Sequence, residues 1–124
     1  MEFPNLPHII DGDFKLSETR AIHGYIAEKY CPDLLGSTAQ ERARVGQLLS
    51  IATDKGLEFV MMCTRPETEE NNRAAVTSKC VDNLAALAEL LNDDRQFLTG
   101  DRPTIPDFYL FEHIEYANHL TKGQ

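Results

Sequence analysis

Short apolar runs open the chain. His8-Ile9-Ile10 and Phe14-Lys15-Leu16 flank Asp11-Gly12-Asp13. An Asp-Gly step between two such runs predicts a hairpin, because the tight turn needs a positive φ and glycine supplies it. Ser17, Glu18 and Thr19 then lead into a helical pattern, with Ala21, Ile22, Tyr25, Ile26 and Tyr30 recurring at helical spacing. Pro32 helps to end it. Residues 31–38 read as a loop or linker. From Gln40 the helical period returns. Val45, Leu48, Leu49, Ala52, Phe59, Val60 and Met62 predict a long, mostly buried helix to about Cys63, with Gly56 marking a bend. The polar stretch 64–72 breaks the pattern as a solvated loop or a helix start. Val76, Cys80, Leu84, Leu87, Ala88 and Leu91 then step by three or four along a second long helix, closed by residues 92–96. Finally, Thr104-x-x-Asp107 stands just before Phe108, Phe111 and Ile114, the signature of an N-terminal capping box. Asp replaces the preferred Glu or Gln, but it accepts the same backbone bonds. On the simplest reading these two residues nucleate a buried helix and touch no substrate. The expected fold is mainly α: one hairpin, one helix, a linker, then at least three helices, with no internal repeat.

Composition narrows the class. The chain has 124 residues, 42% hydrophobic and 26% charged, as expected of one ordinary globular domain. Its net charge of −8 argues against nucleic acid and anionic membranes as partners, since both call for a basic surface. No apolar run approaches the length of a membrane span. Met1-Glu2-Phe3-Pro4 has neither a basic n-region nor an apolar h-region, so no signal peptide is expected. Cys31, Cys63 and Cys80 give neither a disulfide framework nor a CxxC pair. They are expected as reduced, buried small hydrophobes in a cytoplasmic protein. His8, His23, His113 and His119 are scattered, with no metal-ligand spacing, and are expected to be structural.

The chemistry sits in the first helix start. A helix N-terminus offers unpaired N–H groups and a partial positive charge, and so holds a carboxylate. Thr19 is placed to cap this helix and to donate its hydroxyl to the same carboxylate. Glu18 beside it can accept from an ammonium group. Such a pair suits a ligand with both charges, such as an α-amino acid end. A plain capped helix explains the same residues without a ligand. Leu6-Pro7 lies just ahead of the first strand. A cis bond there would let the Leu6 N–H and C=O point outward and pair with a peptide ligand as an added strand.

The run FPNLPHIIDGDFKLSETRAIHGYIAEKY (residues 3–30) resembles the cytosolic glutathione transferases, most closely the mu class. Two later runs agree: ERARVGQLLSIATDKGLEFVMMCTRPE (41–67) is similar to the first long helix of that class's helical domain, and FLTGDRPTIPDFYLFEHI (97–114) to its Gly-Asp…Thr-x-x-Asp-Phe segment. The similarity runs over nearly the whole chain in the family's order. It implies a thioredoxin-like half-domain at 1–30, a linker at 31–38 and a helical domain at 39–124. It also implies glutathione as co-substrate. Asn5 and Leu6 match residues that contact the glutathione backbone, and Pro7 matches the family's cis-proline. Glu18 and Thr19 match the pair that holds the γ-glutamyl end, with Thr19 where the family usually has Ser. Asp54 matches an aspartate that reaches the glutathione site of a neighbouring subunit. Phe3 matches an aromatic key that inserts into the partner subunit.

The departures shape the expected function. Thr64 stands where the family has a tyrosine in the electrophile pocket. Gly24 and Glu28 stand at two interface arginine positions, which puts the usual dimer contact in question. The segment with the family's catalytic tyrosine, and its C-terminal tail, have no counterpart here. Tyr25, Tyr30, Tyr109 and Tyr116 all fall in helical segments. The expectation is therefore a glutathione transferase-like chain with little activity by itself. The alternative is a non-catalytic subunit of a larger assembly. A lone hairpin is marginal and leaves strand edges open. Residues 1–30 are thus expected to need cover, and a partner chain is expected at Phe3 and along the strand edge at His8, Ile9 and Ile10.

Overall fold

In the structure, a computed structural model, residues 3–63, 69–91 and 94–121 are described. Thr64, the stretch 65–68, residues 92–93, and the side chains of the expected core positions Phe59, Val60, Met62, Cys63, Val76, Cys80 and Leu87 lie outside the description.

β1 (His8–Asp11) and β2 (Phe14–Ser17) form an antiparallel hairpin in the register His8↔Ser17, Ile9↔Leu16, Ile10↔Lys15 and Asp11↔Phe14. The loop is therefore the pair Gly12-Asp13. Gly12 takes φ +61° and Asp13 keeps a negative φ, the pattern of a turn with glycine at its first central position. Side-chain alternation puts Ile9, Asp11, Phe14 and Leu16 on one face. That face meets α1 (Thr19–Tyr30), where the Phe14 and Tyr25 rings lie 5.0 Å apart. Ile22 and Ala27 are the buried positions of α1. The sheet has only these two strands among the described residues.

The expected linker is partly ordered. α1 stops at Tyr30, and a short 3-10 turn, Pro32–Leu35, follows with proline at its start. Gly36 then takes φ +90°, and a side chain there would press on Glu41 at 2.8 Å, so the chain turns here only because it carries no Cβ. Glu41 accepts the Ser37 and Thr38 N–H groups at 2.6 and 3.3 Å, and the Thr38 hydroxyl accepts the Glu41 N–H at 3.1 Å. This reciprocal pair starts α2 (Ala39–Cys63). Its backbone bonds, first from Ser37 and then from Thr38, hold the Glu41 carboxyl below its ordinary pKa.

α2 runs unbroken through Gly56. Gly56 leaves room for His113: an added Cβ would lie 2.6 Å from the His113 Nε2. α3 (Glu69–Ala88) ends in a 3-10 turn, Glu89–Leu91, and α4 (Ile105–Thr121) completes the bundle. α2, α3 and α4 each pack on the other two. Val45, Leu48 and Ala52 of α2 are buried, as are Leu98, Ile105, Pro106 and Ala117.

The start of α4 is fixed by one carboxylate. Asp107 Oδ2 accepts the Thr104 N–H at 2.7 Å and its hydroxyl at 2.9 Å, while Oδ1 accepts the Leu98 N–H at 2.8 Å. Thr104 and Leu98 are both buried. The Thr104 hydroxyl donates to the acid instead of capping the Asp107 N–H, which bonds the Thr104 carbonyl. Asp107→Ala strands two buried N–H groups and should destabilise the fold by about 2–4 kcal/mol, at the usual cost per unpaired buried group. Asp107→Asn, which keeps an acceptor, should cost less. Equal urea midpoints for wild type and Asp107→Ala would refute this account.

Candidate functional site

The start of α1 is unusual. Its N-cap is Glu18, not Thr19 as expected from the sequence, and no side chain caps it. Glu18 has φ +73° and ψ +115°, a region that residues with a Cβ rarely enter, at a typical cost of about 1–3 kcal/mol. Thr19 is instead the first helical residue, so its hydroxyl is past the capping position. Among the described residues that hydroxyl has no hydrogen-bond partner. The first turn of α1 holds no acidic residue and carries Arg20. Its free N–H groups and dipole therefore face solvent with a net positive bias.

The extended segment before β1 reaches this helix start. The Asn5 Nδ2 donates to Glu18 Oε1 at 2.8 Å, and its Oδ1 accepts the Leu6 N–H at 2.9 Å. The Leu6–Pro7 peptide bond is cis. The Ser17 hydroxyl, buried at the end of β2, donates to the Phe3 carbonyl at 2.7 Å. Asn5, Leu6, Pro7, Glu18 and Thr19 are thus gathered at one exposed corner. Asp54 is exposed on α2 and makes none of these bonds. The corner brings together a carboxylate, an uncapped helix start and an exposed stretch of backbone.

Two contacts that the sequence does not reveal hold α1 in place. The Asp11 carboxylate, at the tip of β1, accepts the Tyr25 hydroxyl at 2.5 Å and also the Lys29 ammonium. Tyr25 and Lys29 are four residues apart and share one face of α1, but nothing in their spacing points to Asp11. Lys29, and after it Tyr25, holds the Asp11 carboxyl below its ordinary pKa, and the bond to Asp11 raises both partners. On the other side, the Tyr109 hydroxyl and His23 Nδ1 are 2.8 Å apart, joining α4 to α1, with their rings edge to face. Cys31 is exposed, against the expectation of a buried thiol, because it follows the last turn of α1 at the surface.

The glutathione S-transferase C-terminal domain profile matches residues 70–123. A class-mu 26 kDa glutathione S-transferase of Fasciola hepatica is 32% identical over 123 residues, covering 97% of this chain and 53% of that protein. Human glutathione S-transferase Mu 5 is 32% identical over 115 residues, covering 93% and 51%. The crystal structure of the glutathione S-transferase Blo t 8 superposes with a TM-score of 0.80 at 26% identity, covering 94% of this chain and 54% of that one. By sequence the chain is similar to mu-class glutathione S-transferases, and by fold to a solved glutathione S-transferase. The hairpin followed by helices matches the architecture of that solved structure, and the chain spans about half the length of the relatives it matches.

The Asp11 contact gives a pH signature. A carboxyl with a depressed folded pKa stabilises above its unfolded value, about 3.9, and loses that contribution as pH falls through the folded value. Amide protection factors in β1 and β2 should therefore drop as pH falls below about 4 in the wild type. In Asp11→Asn they should start lower and change less. The same pH profile in both proteins would show that Asp11 does not anchor the hairpin.

Proposed function

We propose that residues 1–30 carry the amino-acid-end half of a glutathione site, within a glutathione S-transferase-like protein. The observation that carries this reading is the Asn5–Glu18 hydrogen bond. It joins the strand-like segment at Leu6-Pro7 to an uncapped helix start. The γ-glutamyl carboxylate suits the free first-turn N–H groups and the unpartnered Thr19 hydroxyl. The ammonium suits Glu18. The Leu6 backbone suits the peptide part, once the ligand displaces the short-range bond to Asn5. Asp54 fits the role of a charge lent to a neighbouring subunit, since it is exposed and apart from this corner. On this reading the linker is 31–38 and the helical domain 39–124. An exposed reduced Cys31 suits a cytoplasmic setting.

The family reaction joins glutathione sulfur to an electrophile: the S–H proton leaves, a C–S bond forms, and the electrophile's leaving group departs. The residues gathered here bind and orient the amino-acid end. Lowering the thiol pKa needs a donor aimed at sulfur. The Tyr25 and Tyr109 hydroxyls are engaged with Asp11 and His23. The chain alone is therefore expected to bind glutathione weakly and turn over little. Immobilised glutathione should retain it. Thr19→Ala should weaken retention roughly tenfold, at the usual value of a hydrogen bond to a charged group. Glu18→Ala with Thr19→Ala should abolish it. Retention unchanged in the double variant would overturn the reading.

A second role is favoured by the exposed apolar residues of the N-terminal end: Phe3 is 76% exposed and Ile10 63%. A partner chain that pairs along His8, Ile9 and Ile10 and takes up Phe3 would cover both. Such a subunit should co-purify in a stable complex that Phe3→Ser weakens. A partnerless monomer on sizing chromatography would count against it.

A further inference from the structure

A groove of about 920 Å³ lies between α1 and α4, floored by α2. It is separate in composition from the corner at Asn5 and Glu18, sharing only Thr19. Its floor is made of small residues: Ala27 and Ala52 are buried, and Gly56 adds no side chain. Its walls are aromatic and aliphatic: Tyr30 and Ile26 from α1, and Phe108, Phe111 and Tyr116 from α4. Phe111 is 62% exposed and Phe108 56%. A small-residue floor between ring-lined walls makes a slot for a flat molecule, and the volume lies in the range of small-molecule sites.

The charge in the slot has a sign. Glu112 lines it, on a chain of net charge −8. Aromatic faces are themselves negative and attract cations. Lys29 already sits 5.4 Å from the Tyr30 ring centroid, so a ring of this wall takes a cation. That lysine is paired with Asp11. Arg20 acts on Tyr109 from the first turn of α1, which leaves the Glu112 end as the one that suits a positive charge. His113 also lines the slot. Burial outweighs the pull of Glu112 and holds its imidazole below the ordinary pKa, so it is neutral near pH 7 and does not repel a cation.

We propose that the groove between α1 and α4 binds a flat hydrophobic cation, with its rings between Phe111, Phe108 and Tyr116 and its charge toward Glu112. The proposal is independent of the glutathione reading. Acridine orange is a suitable probe, with anilinonaphthalene sulfonate as an anion of similar size. Fluorescence titration of the full chain should give saturable acridine orange binding with Kd on the order of tens of micromolar. The anion should bind at least several-fold more weakly. Phe111→Ala should weaken the cation about tenfold, and Glu112→Gln about threefold with no loss for the anion. Both positions are exposed, so neither change threatens the fold. The proposal is overturned if the anion binds as tightly as the cation, if Phe111→Ala leaves the affinity unchanged, or if no saturable binding occurs and a polypeptide fills the groove instead.

Discussion

The bond between Tyr109 and His23 spans 86 residues of sequence, and the placement of α1 against α4 depends on it. α1 is the shared element. One side carries the hairpin through Asp11, Tyr25 and Lys29. Its first turn carries the corner at Glu18 and Thr19, and its remaining side walls the groove. A shift of α1 against α4 would open or close the groove and carry the corner with it. A part-buried hydrogen bond between two aromatic side chains suits this task. Its geometry is narrow, and leaving either partner unpaired away from water is costly. The Asp11 contact is more exposed and so contributes less to stability. Its value is directional: one oxygen receives two donors from successive turns, which fixes the hairpin's angle to the helix.

The hairpin illustrates the limits of local structure. Its turn is well made, with glycine where φ must be positive, and its register aligns Ile9 and Leu16 toward α1. Yet two strands bury little by themselves. Ile10 faces away from α1 and is mostly exposed, as is Phe3 at the approach to β1. The bundle of α2, α3 and α4 has its own buried set and does not rely on the hairpin. Stability along the chain should therefore be uneven, highest around Leu48, Leu98 and Ile105 and lowest ahead of β1.

Much of this was legible from residue pattern. The Asp-Gly step located the hairpin, though the loop proved to be Gly12-Asp13, because register is set by pairing and not by the dipeptide. Thr104 and Asp107 were legible as a helix start. The threefold acceptance by Asp107 was not, since Leu98 comes from a preceding segment. The helix at Val45–Ala52 followed from its period. The packing role of Gly56 was not legible, because the sequence does not show His113 lying over it. Thr19 was misread as a cap because helix boundaries are set by backbone geometry, and Glu18 occupies a conformation that no propensity scale predicts. Cys31 shows the weakness of a general tendency: free cysteines are usually buried, but a residue that ends a surface helix goes where the chain goes. The groove was invisible, since Ile26, Phe108 and Phe111 read equally well as core.

Glu18 remains the most informative residue. A strained backbone of about 1–3 kcal/mol is a large fraction of a small domain's stability, so it persists only where neighbours over-determine it. Here they do. Asn5 holds the Glu18 carboxylate from one side, and the Glu18 carbonyl begins the helical ladder by accepting the Ile22 N–H at 2.9 Å. The Glu18 carboxylate and carbonyl are thus both held in place. Strain at Glu18 then has a visible consequence: the backbone is bent so that an acid and an uncapped helix end face outward together.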